Sequence, residues 1–459
     1  MDPQTEAAPA HAPLESLDLQ PLMTRDYDSR PALFYERLRA EHGPIAPVEI
    51  LGVPAWLVLG YPQMLDVLRD TRGVWSRRPD AWRALREGRV PADWPLLPAF
   101  TFDASSFKDG AELTRLRTAW SEGVRPFQDR TRPQAKELEH AVQVYADELI
   151  TALAEGGRTG TADLSVQYAR PLPLMVLNRL LGVPAGGRSE ELIMDVWRTM
   201  DATPDAAEAQ IRLITEIGEV CAAKSAAPGQ DLPSFMLAAV PDLALDELTR
   251  EISMLTGFIA DLTGALIGNT VIEVISGTGG ARESLSAGMI QEAVNRAMIS
   301  SPPMANMAFR WPRTDVRIGR YTVAAGDPVM LSPAAAHLDP AFTGGMSPDA
   351  LYSSRAHLGW GAGAHACVGR EFATTIATIA VERLFDRFCA LRPALPPDQL
   401  PWRSSPITRG LRSLPVHYEL AKEPAAPAAE EPVTPMQAEE DREAASLVRR
   451  ILRIMRRAS

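Results

Sequence analysis

Cysteine is scarce in this chain: Cys221, Cys367 and Cys389 are the only three in 459 residues. They are too widely spaced for a zinc-ligand pattern or a disulfide framework, which fits a reducing compartment. An excess of positive charge is also missing. The 47 Lys and Arg stand against 58 Asp and Glu, and the net charge of −11 argues against nucleic acid as a partner. Residues Met1 to Pro21 are polar with several Pro and Ala, and lack the cationic start and apolar core of a signal peptide. A clean membrane span is missing as well. The longest apolar-rich run, Ile252 to Ile275, carries Asp261, Asn269 and Glu273, which are expensive in lipid. It reads as a buried central helix, and the chain as a soluble cytoplasmic protein.

Helical periodicity dominates what is present. Pro133 to Glu155 repeats Leu138, Val142, Tyr145, Leu149 and Leu153 at helical spacing. Leu164 to Leu181 follows, closed by Gly182 and Pro184. Further helices are expected over Pro31–Ala40, Tyr61–Arg69, Ala111–Val124, two within 188–224, Pro233–Ala239 and Ser286–Ile299. Leu245 to Ser276 reads as one long helix of about 48 Å, apolar on all sides and therefore buried. Strands are few. Ile45 to Val58 reads as a hairpin turning at Gly-Val-Pro, and Val316–Ile318, Tyr321–Val323 and Val329–Leu331 form a second small β region. Residues 79–104, with Trp82, Trp94 and several prolines, read as mostly irregular. The expected fold is mainly α with a small β region.

The chain divides into a disordered N-terminus (1–25), one large domain (26–420), a linker (421–436) and a terminal helix (437–459). The linker alternates Ala, Pro and Glu from Glu423 to Thr434. In the terminal helix Leu447, Val448, Ile451, Leu452 and Met455 share one face, and Arg449, Arg450, Arg453, Arg456 and Arg457 take other positions. Such a basic amphipathic helix suits a membrane surface or a protein partner.

The segment His357-Leu-Gly-Trp-Gly-Ala-Gly-Ala-His365-Ala-Cys367-Val-Gly369-Arg370 carries the chemistry. Gly359, Gly361 and Gly363 permit sharp bends, and a helix entered through Gly369 and Arg370 turns its positive end toward a thiolate. Trp360 is placed to shield the sulfur from water. A structural cysteine or a phosphate loop are the alternatives, and the latter lacks the Lys-Ser/Thr ending.

Trp360, Gly363, His365, Cys367 and Gly369 fill the five places of the cysteine loop of the cytochrome P450 family, with Trp where Phe is usual. The resemblance covers about residues 25–420 and implies a P450 fold with a long central helix. It implies haem b (iron protoporphyrin IX) with Cys367 as the iron ligand, a ligand that promotes O–O cleavage. Arg117, Arg310 and His365 would partner the haem propionates, since arginine forks suit carboxylates. Gly369 completes the cofactor-binding set. The activity implied is oxidation of a small apolar molecule by a monooxygenase, with electrons from ferredoxin and ferredoxin reductase.

Two features depart from the family pattern. On the central helix the usual acid–threonine pair becomes Asp261–Leu262, with Phe258 and Ile259 where small residues are usual. Thr263 is adjacent, but on a regular helix it faces roughly away from Asp261, and serves only if the helix bulges locally. Asp261 is the proton-relay candidate and Thr263 its alcohol partner. The usual Glu-x-x-Arg falls on Arg296 and Ile299. The chain thus resembles an atypical actinobacterial branch. Its alternative reading is a haem-binding regulatory or partner protein that docks through residues 437–459. Trp82, Trp94, Phe258, Ile259 and Leu262 are expected to roof the pocket.

Overall fold

The computed structural model describes residues 12–183, 187–200, 204–277, 289–421, 446 and 448. The chain folds as two compact units that exchange segments along the sequence. Unit one comprises Met1–Leu113, Ile299–Cys367 and Arg403–Arg409. Unit two comprises Thr114–Met298, Val368–Trp402 and Gly410–Ser459.

Unit one is built on a six-stranded sheet in the order Gln20–Pro21, Ile45–Ile50, Val53–Val58, Val329–Leu331, Met307–Pro312, Trp75–Ser76. The hairpin turns at Leu51 and Gly52, whose φ values of 51° and 84° suit a tight primed turn. Val53 and Pro54, expected in that turn, already belong to the second strand. The strand Met307–Pro312 was not expected from sequence. Residues 12–25, expected to be disordered, hold a 3-10 turn at Leu14–Ser16 and the strand Gln20–Pro21, with Leu14 and Leu22 buried.

An aromatic cluster fills one side of this unit. Trp82 and Trp94 are 0% and 3% exposed, and pack with Phe100, Phe309 and Trp311. They are core residues of unit one, which corrects their expected place in a pocket roof. Buried aromatic side chains of this size contribute heavily to core packing.

Unit two is largely helical, with a three-stranded sheet of Phe388–Pro393, Pro415–Leu420 and Thr159–Asp163. The central helix differs from expectation. It runs as α-helix over Leu245–Phe258, as a π-helical turn over Ile259–Thr263, and as α-helix again over Gly264–Ile275. The segment Leu245–Ile275 is apolar enough to cross a membrane, yet 72% of its most apolar part is buried inside the protein. A second π turn, Ser165–Ala169, opens the expected helix at 164–181, followed by α-helix over Pro171–Leu180.

The linker beyond Ala421 and most of the expected terminal helix lie outside the described residues. Of that helix, Ser446 and Val448 are helical, and Val448, on the face expected to dock, is fully buried.

Candidate functional site

In unit one, the cysteine loop is held by its own backbone and by the turns beneath it. The Cys367 N–H donates to the Trp360 oxygen at 2.9 Å, and Ala366 N–H to Gly363 at 3.1 Å. Gly361 and Gly363 both sit at φ 70°, which L side chains rarely adopt, whereas Gly359 is not in that region. At Gly363 a Cβ would lie 2.2 Å from the Leu68 oxygen, so the loop needs glycine there for space as well as conformation. His365 ends a 3-10 turn, Gly363–His365, and is half-buried, while Cys367 is exposed.

His337 fixes the start of the loop, a contact that no local sequence pattern signals. Its Nε2 accepts the Leu358 N–H at 2.9 Å, and its Nδ1 lies 3.1 Å from the Ile299 oxygen. These partners require the neutral ring with the proton on Nδ1. Burial, and secondarily the neighbouring His357, push its pKa down to about 3.

Arg310 lies on the strand Met307–Pro312 and is 5% exposed. Its Nη1 has no hydrogen-bond partner among the described residues. Burial lowers its pKa to about 10, opposed by the charges of Asp109 and Asp70. A buried guanidinium with a spare donor fits a carboxylate, and a haem propionate is such a group. The strand and the loop are packed together: Leu358 and Ala362 share one hydrophobic cluster with Met307, Val329 and Leu331.

In unit two, Arg117 is half-buried on the helix Gly110–Gln128. That helix is fastened to the central helix by an Arg115–Glu247 ion pair and by Trp120 Nε1, which donates to Glu251 Oε2 at 2.6 Å. At its end Gln128 Nε2 donates to the Val368 oxygen at 2.9 Å, one residue after Cys367 in the chain. Gln128 has no sequence signature; a glutamine at a helix end is ordinary. Gly369 caps the helix Arg370–Arg387 at φ −89°, and its oxygen accepts from Ala373 N–H at 2.8 Å.

Asp261 and Thr263 both lie in the π turn. The bulge that would let Thr263 serve is therefore present, and a regular 100° step does not describe their relative directions. Asp261 is half-buried and Thr263 is 4% exposed. Just after the turn, Gly264 packs so closely that a Cβ would meet the Ala169 oxygen at 3.1 Å and Arg170 Cα at 3.3 Å. The two π turns are thus neighbours. Of the other expected roof residues in this unit, Ile259 is buried, Leu262 half-buried and Phe258 42% exposed.

No family model matches the chain. It is 31% identical over 396 residues to cytochrome P450 107B1 of Saccharopolyspora erythraea, spanning 83% of this chain and 93% of the relative. It is 30% identical over 407 residues to 6-deoxyerythronolide B hydroxylase of the same organism, spanning 84% and 95%. Among solved structures it resembles CYP154A1 from Streptomyces coelicolor A3(2), with a TM-score of 0.72, 29% identity, and coverage of 84% and 97%. CYP154C4 from Streptomyces sp. W2061 gives a TM-score of 0.74 at 25% identity, covering 87% and 98%.

Proposed function

Because this chain belongs to the cytochrome P450 family of haem b monooxygenases, we propose that Cys367 is its iron ligand and that it oxidises a small apolar molecule. Bound haem supplies the iron at which dioxygen is reduced and one oxygen atom is inserted into a substrate. The rest falls to the chain's own residues.

The loop that presents Cys367, its N–H bonded to the Trp360 oxygen and its Gly363 leaving no room for a side chain beside Leu68, is the observation that carries this reading. The helix beginning at Arg370, three residues along the chain, favours the thiolate over the thiol. Arg310 offers its spare Nη1 to one haem carboxylate, with His365 and Arg117 as the further donors. Asp261 holds and passes protons, and the buried hydroxyl of Thr263 orders the water that carries them. Phe258, Ile259 and Leu262 supply apolar surface for a substrate. Electrons come from a ferredoxin and its reductase in the cytoplasm, and Gly369 opens the helix that follows the ligand in the chain.

The test is turnover with ferredoxin, ferredoxin reductase and labelled dioxygen against a panel of apolar small molecules. One labelled oxygen atom in a product is the expected result. A haem-loaded, reducible protein that passes electrons only to peroxide across the panel would instead favour the regulatory reading.

A further inference from the structure

Arg77 follows the short strand Trp75–Ser76, which pairs antiparallel with Pro312 and Trp311. One more step of that ladder would set Arg77 opposite Arg310, but the ladder stops. The Arg77 backbone N–H turns to the Asp109 carboxylate, at 3.1 and 3.2 Å from its two oxygens. Its side chain takes over the acceptors instead. Nη1 donates to the Ala308 oxygen at 2.7 Å and the Phe309 oxygen at 2.6 Å, and Nε to the Ser106 oxygen at 2.7 Å.

On its other edge the same strand slips register against Val329–Leu331. Met307 pairs with Leu331 and Arg310 with Val329, so three steps on one strand meet two on the other. Ala308 and Phe309 carry this bulge, and bulges re-aim the side chains beside them. The two carbonyls that Arg77 bonds are therefore those of the bulge, immediately before Arg310.

We propose that Arg77 is a positioning residue for haem binding: it pins the bulge at Ala308 and Phe309 and so aims the buried Arg310. The proposal rests on the haem reading above. Only a planar fork reaches Ala308, Phe309 and Ser106 from one side chain; a lysine ammonium does not. Stacking over Phe107, 4.9 Å from the ring centroid, holds the fork in place. Asp109 also accepts from Ser76 Oγ at 2.7 Å and from Arg313 at 2.9 Å, so it is shared rather than reserved for Arg77. Burial first, and then the charge of Arg310, pull Arg77 well below its ordinary pKa, opposed by Asp109. Two buried cations that disfavour each other are offset by an anion held beside one of them.

The experiment measures haem transfer to an excess of a haem-scavenging globin, together with the haem reduction potential. The proteins are the wild type, R77K, R77Q, R310Q and R77Q/R310Q. R77Q and R77K should each lose haem about tenfold faster and shift the potential in the same direction as R310Q. In the R310Q background, R77Q should add nothing. Additive effects, or an R77K protein that keeps the wild-type rate and potential, would overturn the proposal. R310Q serves as the separate control. If R310Q itself leaves haem loss unchanged, the propionate reading fails first; if R310Q acts and the Arg77 variants do not, only the role of Arg77 fails. Should R77Q not fold, R77K and R77K/R310Q carry the same comparison.

Discussion

The hydroxyl of Tyr168 donates to the backbone oxygen of Ala380 at 2.6 Å, tying the π turn Ser165–Ala169 to the helix that follows the cysteine. Tyr168 is fully buried, and burial holds its phenol well above the ordinary pKa, so it remains a donor. Tyr168→Phe should lower the unfolding free energy by about 1 kcal/mol, read by denaturant melting. An unchanged midpoint would show that the bond contributes nothing.

The same π turn meets the central helix at Gly264, where backbone atoms stand 3.1 and 3.3 Å from an added methyl. Gly264→Ala should destabilise by about 1–3 kcal/mol, because backbone gives way less readily than a side chain. Gly257, seven residues earlier on the same helix, has open space around it. Gly257→Ala should stabilise by up to about 1 kcal/mol through helix propensity alone. If the two variants behave alike in melting experiments, close packing at Gly264 is not what sets the turn.

His337 predicts a pH dependence. Its folded pKa, about 3, lies below the ordinary 6.5. The unfolded chain therefore binds the extra proton first as pH falls. The stabilisation is complete above about pH 6.5 and declines toward pH 3, with a slope of up to roughly 1.4 kcal/mol per pH unit. His337→Asn, which keeps a donor and an acceptor, should flatten that slope. Urea melts of both proteins between pH 7 and pH 4 check this, and parallel curves would contradict it.

Gly363→Ala should disable the loop more severely than Gly361→Ala. Both residues sit at φ 70°, but only at Gly363 would the Cβ strike backbone, 2.2 Å from the Leu68 oxygen, against 3.7 Å from the nearest atom at Gly361. Haem content of the purified variants, measured per polypeptide, should fall far more for Gly363→Ala. Equal losses would assign the loop's demand to conformation rather than space.

The legible parts of this protein are those with short-range signatures. The hairpin Ile45–Val58 and the helix Tyr61–Arg69 depend on residues close in sequence, and their spacing reveals them, while the cysteine loop is legible through its resemblance to the family pattern. The strand Thr159–Asp163 was missed because its polar residues are paired by Pro415–Leu420, some 250 residues away. The strand carrying Arg310 escapes notice because five of its six residues are buried, Arg310 among them, so no solvent-facing polar row marks it. Both π turns use the same residue types as the α-helices around them, so composition carries no trace of them. Trp82 and Trp94 look the same in sequence whether they line a pocket or fill a core, and only burial separates the two. Arg77 and His337 act through backbone oxygens and N–H groups far along the chain, which no local pattern encodes.

Everything proposed for the site depends on Cys367 binding the haem iron as a thiolate. That ligation is tested most directly by reducing the haem-loaded protein under carbon monoxide and recording the difference spectrum, with Cys367→Ser alongside. The expected result is the red-shifted Soret band of a thiolate-ligated carbonyl complex in the wild type and its loss in the variant. A haem-loaded wild type without that band, or a variant that keeps it, would rule out Cys367 as the iron ligand.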